Sequence, residues 1–191
     1  MRHAAKAALC LLVAALAVPA AWATTAVERT ETELIQEAET IVTGRCIRLQ
    51  SQWVERDLVT LATLSVSEVL KGQAGSEITV VLPGGIDANR PIPVAMTFPA
   101  APEILLQEDV LLFLTGEERV LDGYSIVGFS QGKFTVVEAG GQKMATQDLS
   151  ALDLQGGNGG IRRGAAKTFP LAQIRQKIQQ TLAAEKPERQ R

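Results

Sequence analysis

Residues 110–114 read Val-Leu-Leu-Phe-Leu, and Glu108-Asp109 precede them. A short, continuous apolar run bounded by polar residues is typical of a β-strand whose two faces are both buried. The run therefore marks the centre of the predicted core, and Leu112 in its middle is expected to be fully buried.

Further strands are predicted on either side of this run, because apolar and β-branched residues alternate there with polar ones. Gly44 is suited to a bulge or a strong bend in the first of them. No helical pattern connects the strands, which favours a mainly β fold, an antiparallel barrel or sandwich of about five to six strands. The other predicted strands are Ile41–Leu49, Leu58–Leu70, Ile78–Leu82, Gly123–Val127 and Gly132–Val137.

Two amphipathic helices flank the predicted strands. The short helix at Glu31–Glu39 follows Thr30, a suitable N-cap, and contains Thr32, the alternative cap. The C-terminal helix at Pro170–Ala184 has an apolar stripe at i, i+3, i+4 spacing, so it is expected to pack on the barrel. Glycine pairs between barrel and helix predict flexible chain. The predicted organisation is a signal peptide (1–23), an N-terminal extension with the short helix (24–39), a barrel domain (40–138), a Gly-rich linker (139–168), and the C-terminal helix with its charged tail (169–191).

The segment Gly84–Pro102 has no period and contains four prolines, so it is neither a helix nor a central strand. A loop this long often carries function. Arg90 is its sole cation, and Ile92, Met96 and Phe98 fall on alternate positions that present apolar area on one side. These four residues are the candidate protein-binding residues. The alternative is that they anchor the loop to the barrel.

The N-terminus predicts export. Arg2 and Lys6 precede an apolar run, and Ala21-Trp22-Ala23 fits the rule for signal-peptide cleavage. The run is shorter than the ~20 residues of a membrane-spanning helix. We therefore expect a mature chain that begins at Thr24, has no membrane span and works in the periplasm or as a secreted protein.

The mature chain lacks histidine and has a single cysteine, which excludes several kinds of catalytic and metal site. His3 is the one histidine of the chain and lies in the predicted signal peptide, so the mature chain cannot build Ser-His-Asp or Cys-His catalysis or a histidine-ligated zinc site. Cys46 is the one cysteine left, and it is expected to be buried on a strand; an intermolecular disulfide is the alternative. Ser–Lys catalysis needs no histidine and stays open in principle, but no Ser-x-x-Lys motif is assigned in the mature chain, so it is not expected.

The charged residues predict no cofactor, metal or nucleic-acid site. The formal net charge of −2 gives no general attraction to nucleic acid or anionic lipid. The adjacent pairs Glu108-Asp109 and Glu117-Glu118 point to opposite faces of a strand, so neither is expected to form an acid/base dyad. Asp87-Ala88-Asn89 begins a calcium-loop spacing but lacks the later ligands, which predicts a turn.

Three pieces of sequence carry a resemblance to a known family. They are Ile41–Arg45; Val69–Gly72 together with Leu82–Gly85; and Asp109–Leu114 together with Gly128–Phe134. Together they resemble a group of exported bacterial proteins, which are similar in turn to the OB-fold of tissue inhibitors of metalloproteinases and netrin-like modules. The resemblance covers about half of the chain and implies an OB-like barrel. Those inhibitors chelate the target's zinc through an N-terminal cysteine held by disulfides, whereas this mature chain would begin at Thr24, so no inhibitory residue can be carried over.

Three functions follow as hypotheses. The first is a non-catalytic module outside the cytoplasm that binds a protein or peptide, its partner being another envelope or extracellular protein. The second is an inhibitor of an exocytoplasmic protease. The third is an enzyme that uses carboxylates alone, such as a glycosidase with an acid pair from distant strands.

Overall fold

The computed structural model describes residues 24–118 and 121–185. The predicted signal peptide Met1–Ala23 and residues 186–191 of the predicted tail lie outside them. The chain is mainly β, with one short helix and one C-terminal helix, as predicted. The helices are α1 (Glu31–Glu37) and α2 (Leu171–Glu185), and the strands are β1 (Thr24–Val27), β2 (Thr40–Val54), β3 (Asp57–Lys71), β4 (Glu77–Pro83), β5 (Gly85–Asp87), β6 (Val94–Met96), β7 (Asp109–Glu118), β8 (Gly123–Ile126), β9 (Lys133–Ala139), β10 (Gln142–Asp148), β11 (Leu152–Gln155), β12 (Ile161–Arg163) and β13 (Ala166–Pro170).

Five strands close into a barrel. Strands β2, β3 and β4 form an antiparallel meander, β2 also pairs with β7, and β7 pairs with β8. The ring closes where β8 lies parallel to β4, with Val80 opposite Tyr124. The barrel interior is filled by Val42, Cys46, Ala62, Leu64, Ile78, Val80, Leu82, Ile104, Val110, Leu112, Leu114 and Ile126.

A second layer covers one side of the barrel. Strand β7 also pairs with β9, and the sheet continues through β10 to β13. A second apolar cluster joins this sheet to the two helices. Its buried members are Leu34, Ile35, Ala38, Ile41, Leu111, Phe113, Val127, Phe134, Val136, Ala145, Leu171, Ile174 and Ile178.

The run 110–114 belongs to both clusters. Its odd-numbered side chains, Leu111 and Phe113, lie in the outer cluster, and the other three lie inside the barrel. All five are at most 1% exposed. The predicted strand with two buried faces is therefore confirmed, and the cause is a barrel on one side and helices on the other.

The pairing of β2 with β3 is irregular at Gly44, the residue predicted for a bulge or a bend. The register of β2 against β3 shifts between Thr43 and Gly44 and again between Cys46 and Arg48. A Cβ atom on Gly44 would lie 2.6 Å from the carbonyl oxygen of Ser65, so a larger residue does not fit. Cys46 is buried inside the barrel, as expected, and desolvation raises the pKa of its thiol.

Both helices begin close to the predicted residues. The amide of Glu33 donates to Thr30 Oγ1 (3.2 Å) and the amide of Thr30 donates to Glu33 Oε2 (2.6 Å), a capping box that selects Thr30 as the N-cap. Helix α2 begins one residue after Pro170, which ends β13. Among the described residues, no helix is long and apolar enough to span a bilayer.

The prediction of a flexible linker at 139–168 is wrong, because this stretch contains most of four strands. Gly140 and Gly141 have φ of +60° and +76° and form the turn between β9 and β10. Strand β11 pairs in parallel with β1 and antiparallel with β12. The glycines mark tight turns between short strands.

Candidate functional site

The proline segment, residues 84–102, is not a structureless loop. Strands β5 and β6 pair as a small hairpin, with Gly85 opposite Met96 and Asp87 opposite Val94. The hairpin lies against the distal part of the β2–β3 hairpin, which continues past the end of β7 and turns at Glu55-Arg56. We call this distal part, residues 48–63, the arm.

Backbone and hydroxyl groups fix the base of the proline segment to the arm. The amide of Gly84 donates to the carbonyl of Leu58 (2.9 Å), and Thr60 Oγ1 donates to the carbonyl of Gly84 (2.8 Å). The amide of Ile86 donates to Ser51 Oγ (3.1 Å). Three hydrogen bonds therefore define where the hairpin leaves the barrel.

Two glycines permit this close approach. Gly84 has a φ of +88°, and a Cβ atom there would lie 2.6 Å from the carbonyl oxygen of Met96. A Cβ atom on Gly85 would lie 2.6 Å from Ser51 Oγ. The sequence Pro83-Gly84-Gly85 thus lets the chain turn from β4 onto the arm.

A polar cluster of three side chains fixes the far end of the hairpin. Trp53 Nε1 donates to Asp87 Oδ2 (2.8 Å), and Arg90 Nε donates to the same oxygen (2.9 Å). The Arg90 guanidinium lies 4.9 Å from the centroid of the Trp53 ring, a cation–π contact. Hydrogen bonds from Trp53 and then Arg90 lower the pKa of Asp87, because both favour the charged carboxylate. The amide of Asn89 donates to Asp87 Oδ1 (3.1 Å) in a turn, as the sequence predicted.

Two of the four candidate residues, Arg90 and Met96, contact the arm, and three of the four are exposed. Arg90 binds Asp87 and Trp53, and the amide of Leu58 lies 3.4 Å from Met96 Sδ. Arg90 is nevertheless exposed, as are Ile92 (80%) and Phe98 (40%). The contacts of Arg90 and Met96 fit the interpretation that these two residues anchor the loop, and protein binding through the segment stays a prediction.

The start of the predicted mature chain lies beside the end of the proline segment. Thr24 Oγ1 donates to the carbonyl oxygen of Pro99 (3.0 Å). Strand β1 is held further along by Gln131, whose Nε2 donates to the carbonyl of Val27 (2.9 Å) and whose Oε1 accepts from the amide of Arg29 (2.8 Å). Residues distant in sequence thus meet on one side of the molecule.

A cleft of about 450 Å³ borders the last residues of the proline segment. Its walls include Ala100, Pro102 and Leu152, and an ion pair lies in it. Lys133 Nζ donates to Glu108 Oε1 (2.6 Å) and to Thr135 Oγ1, and Thr135 Oγ1 donates to the same Glu108 oxygen. Both charged side chains are mostly buried, so the charge of each is compensated by the charge of the other.

The cleft also contains a motif that the sequence analysis missed. Ser130-Gln131-Gly132-Lys133 has Ser-x-x-Lys spacing, and both ends of the motif line the cleft. The hydrogen bonds of Lys133 Nζ go to Glu108 and Thr135, and among the described contacts none joins it to Ser130. The geometry therefore gives no support to Ser–Lys catalysis.

No family model matches the chain. Curated proteins and solved structures offer no match either. Function is therefore inferred from the contacts, exposure and charge of the described residues.

Several of the described carboxylates are engaged by cations, including one of the pairs that the sequence analysis singled out. Glu108 binds Lys133, and its neighbour Asp109 binds Arg45 through two hydrogen bonds (2.7 and 2.6 Å). Arg45 lowers the pKa of Asp109, chiefly by hydrogen bonding. The side chains of Glu117 and Glu118 lie outside the described part. Within that part, no three Cys, Asp or Glu side chains gather as metal ligands.

Proposed function

We propose that this protein is a non-catalytic module that binds a protein or peptide through its proline segment. One observation carries the proposal. The hairpin is fixed at its base and its far end, yet the proline segment exposes Ile92, Phe98 and Ile86, which is 62% exposed. Apolar side chains held out into solvent on a fixed support are typical of interaction sites.

Preorganisation explains why such a hairpin suits binding. Pro91 and Pro93 flank Ile92 and restrict the backbone on both sides of it. The cluster of Asp87, Arg90 and Trp53 restricts the hairpin further. Binding then orders few additional groups, so less of the interaction free energy is lost to conformational entropy.

Two further features support the proposed compartment of the partner and the proposed use of a loop on a barrel. The predicted signal peptide favours an envelope or extracellular partner. The strand order of the barrel, with β8 parallel to β4 at its closure, supports the OB-like assignment that the sequence resemblance implies. Loops on such barrels commonly carry binding function.

A deletion of apolar surface tests the proposal. We expect the double variant Ile86→Ser and Ile92→Ser to lose partner capture from the native envelope, with an unchanged melting temperature, because both side chains are more than half exposed. Ile161→Ser is the matched control, since Ile161 is 64% exposed on β12. Equal capture by the double variant and the control would contradict the proposal. Arg90 and Met96 are poor choices for this test, because they hold the hairpin in place.

Inhibition of an exocytoplasmic protease is the second candidate. The contact between Thr24 and Pro99 favours it, because the predicted mature N-terminus lies beside the exposed segment, and both could contact one enzyme. Titration of the mature protein against purified metallo- and serine proteases tests it. Stoichiometric loss of peptidase activity that Ile92→Ser weakens would support inhibition, and full activity at saturating protein would exclude it for those enzymes.

A further inference from the structure

The arm has one side along which no other strand pairs. Strand β2 pairs with β3 almost from end to end, but it pairs with β7 only over Thr40–Arg45. The next residue, Cys46, still bonds to the loop before β7: its amide donates to the carbonyl of Glu108 (2.9 Å), and its carbonyl accepts from the amide of Gln107 (2.8 Å). Beyond that point, no backbone hydrogen bond joins residues 48–54 to any described part of the chain except β3. We call the side of residues 48–54 that faces away from β3 the free edge.

The backbone along the free edge is regular. From Arg48 to Val54 the pairing with β3 shows no register shift, so each residue lies opposite one residue of β3. In such an antiparallel ladder, alternate residues direct their amide and carbonyl groups away from the partner strand. The hairpin of the proline segment meets β2 through the side chains of Ser51 and Trp53. The free edge therefore presents backbone donors and acceptors at the spacing of a second strand.

This edge lacks the features that usually protect an outer strand. Proteins block such edges with short strands, charged side chains or proline. Two other outer strands of the described sheets have these features: β12 is three residues long and contains two arginines, and β13 contains Lys167 and ends at Pro170. In contrast, residues 49–54 contain neither a charge nor a proline, and Leu49 and Gln50 are exposed. An unprotected edge of this kind favours a partner strand that covers it.

Exposed apolar side chains lie at one end of the free edge. Ile47 and Leu49 are exposed on β2 itself, and Leu105 and Leu106 are exposed in the loop that bonds to Cys46. A strand on this edge would direct alternate side chains to one face. These neighbours favour a peptide with apolar residues at alternate positions.

We propose that the free edge binds an extended peptide segment of a protein partner, which adds a strand to β2 in the line that β7 leaves. Backbone hydrogen bonds supply affinity, and the alternate apolar side chains of the peptide contact Leu49 and its exposed neighbours. This surface is separate from the exposed side chains of Ile86 and Ile92. It shares with the proposed function only the class of partner, so either proposal can fail without the other.

Peptide selection on the exported full chain tests the proposal. The probe is a displayed library of random linear peptides, and the selected peptides are then synthesised with N-methyl groups on every second residue, in each of the two possible alternations. We expect enrichment of alternating apolar residues. One alternation should lower the affinity by about tenfold or more and the other should not, because only alternate peptide amides bond to β2. No enriched peptide, or equal affinities of the two alternations, would overturn the proposal.

A matched pair of charged variants locates the peptide. The double variant Leu49→Lys and Gln50→Lys should abolish binding of the selected peptide, because charged side chains on an edge oppose strand addition. The double variant Gln176→Lys and Gln180→Lys adds the same charge at exposed positions of α2 and should leave binding unchanged. The melting temperature of each variant shows that it is folded. Equal binding by the two folded variants would overturn the proposal.

Two further measurements separate the free edge from other occupants and other sites. The double variant Ile86→Ser and Ile92→Ser should bind the selected peptide as the parent protein does. Loss of binding in that variant would place the peptide on the proline segment instead. Analytical ultracentrifugation of the peptide-free chain completes the test, since a dimer that Leu49→Lys with Gln50→Lys dissociates would identify a second copy as the occupant and overturn the proposal.

Discussion

The barrel and the proline segment are held in place by different forces. The barrel strand at 110–114 is covered by apolar side chains on both faces. The hairpin of the proline segment has no buried cluster of its own and is held by hydrogen bonds to the arm and by the side chains of Trp53, Asp87 and Arg90. Substitutions in the barrel core should therefore destabilise the whole molecule, whereas substitutions in the hairpin should release the hairpin alone.

The largest expected effect is in the barrel. Leu112→Ala should lower the free energy of unfolding by about 2–5 kcal/mol, because it removes fully buried methyl groups and leaves a cavity. Urea unfolding followed by circular dichroism measures the change. Leu106→Ala is the control, since Leu106 is 58% exposed and its truncation should cost about 0.5 kcal/mol or less. Equal effects of the two variants would contradict the two-sided burial of β7.

An intermediate effect is expected where the two regions join. Gly84→Ala should cost about 1–3 kcal/mol, because alanine is strained at a φ of +88° and its Cβ meets the carbonyl oxygen of Met96. Limited proteolysis should show the hairpin cleaved faster than in the parent protein. Gly157→Ala is the matched control, because nothing lies within 4 Å of a Cβ atom there. A tolerated Gly84→Ala variant would mean that the hairpin is not fixed at its base.

The smallest effect is expected at the far end of the hairpin and depends on pH. The folded pKa of Asp87 lies below its ordinary value, so this carboxylate stabilises the hairpin at neutral pH, and the contribution is lost as pH falls through the folded pKa. The fluorescence of Trp53, which we expect to be the one tryptophan of the mature chain, should change on acidification while far-ultraviolet circular dichroism stays constant.

Asp87→Asn separates this carboxylate from the other acids. The variant should lack the acid-dependent fluorescence change, because its amide oxygen still accepts a hydrogen bond but does not titrate in this range. Asp57→Asn, at the turn of the arm, should retain the change. An identical pH profile in both variants would show that Asp87 does not hold the hairpin.

The sequence predicted those helices and strands whose signal lies within a short stretch of neighbouring residues. The run 110–114, the cap at Thr30 and the stripe of the C-terminal helix are such patterns. The strands within 139–168 are not, because β1 pairs with β11 from the opposite end of the chain and short exposed strands lack a strong period.

The candidate site was predicted only in part, because its contacts also join residues that are distant in sequence. Alternation along the proline segment placed Ile92, Met96 and Phe98 on one side, but exposure depends on the arm, whose Trp53 and Leu58 are distant in sequence. The spacing of Ser130 and Lys133 was readable, but the pairing of Lys133 with Glu108 follows only from the fold.

The shared strand β7 also sets an order of assembly during synthesis. The meander of β2, β3 and β4 emerges from the ribosome first, with the apolar residues of its inner face still uncovered. The barrel cannot close until β7 and β8 have followed, and the outer cluster on the other face of β7 is incomplete until α2 is made. A nascent chain of this protein therefore exposes apolar surface until its last helix has been synthesised.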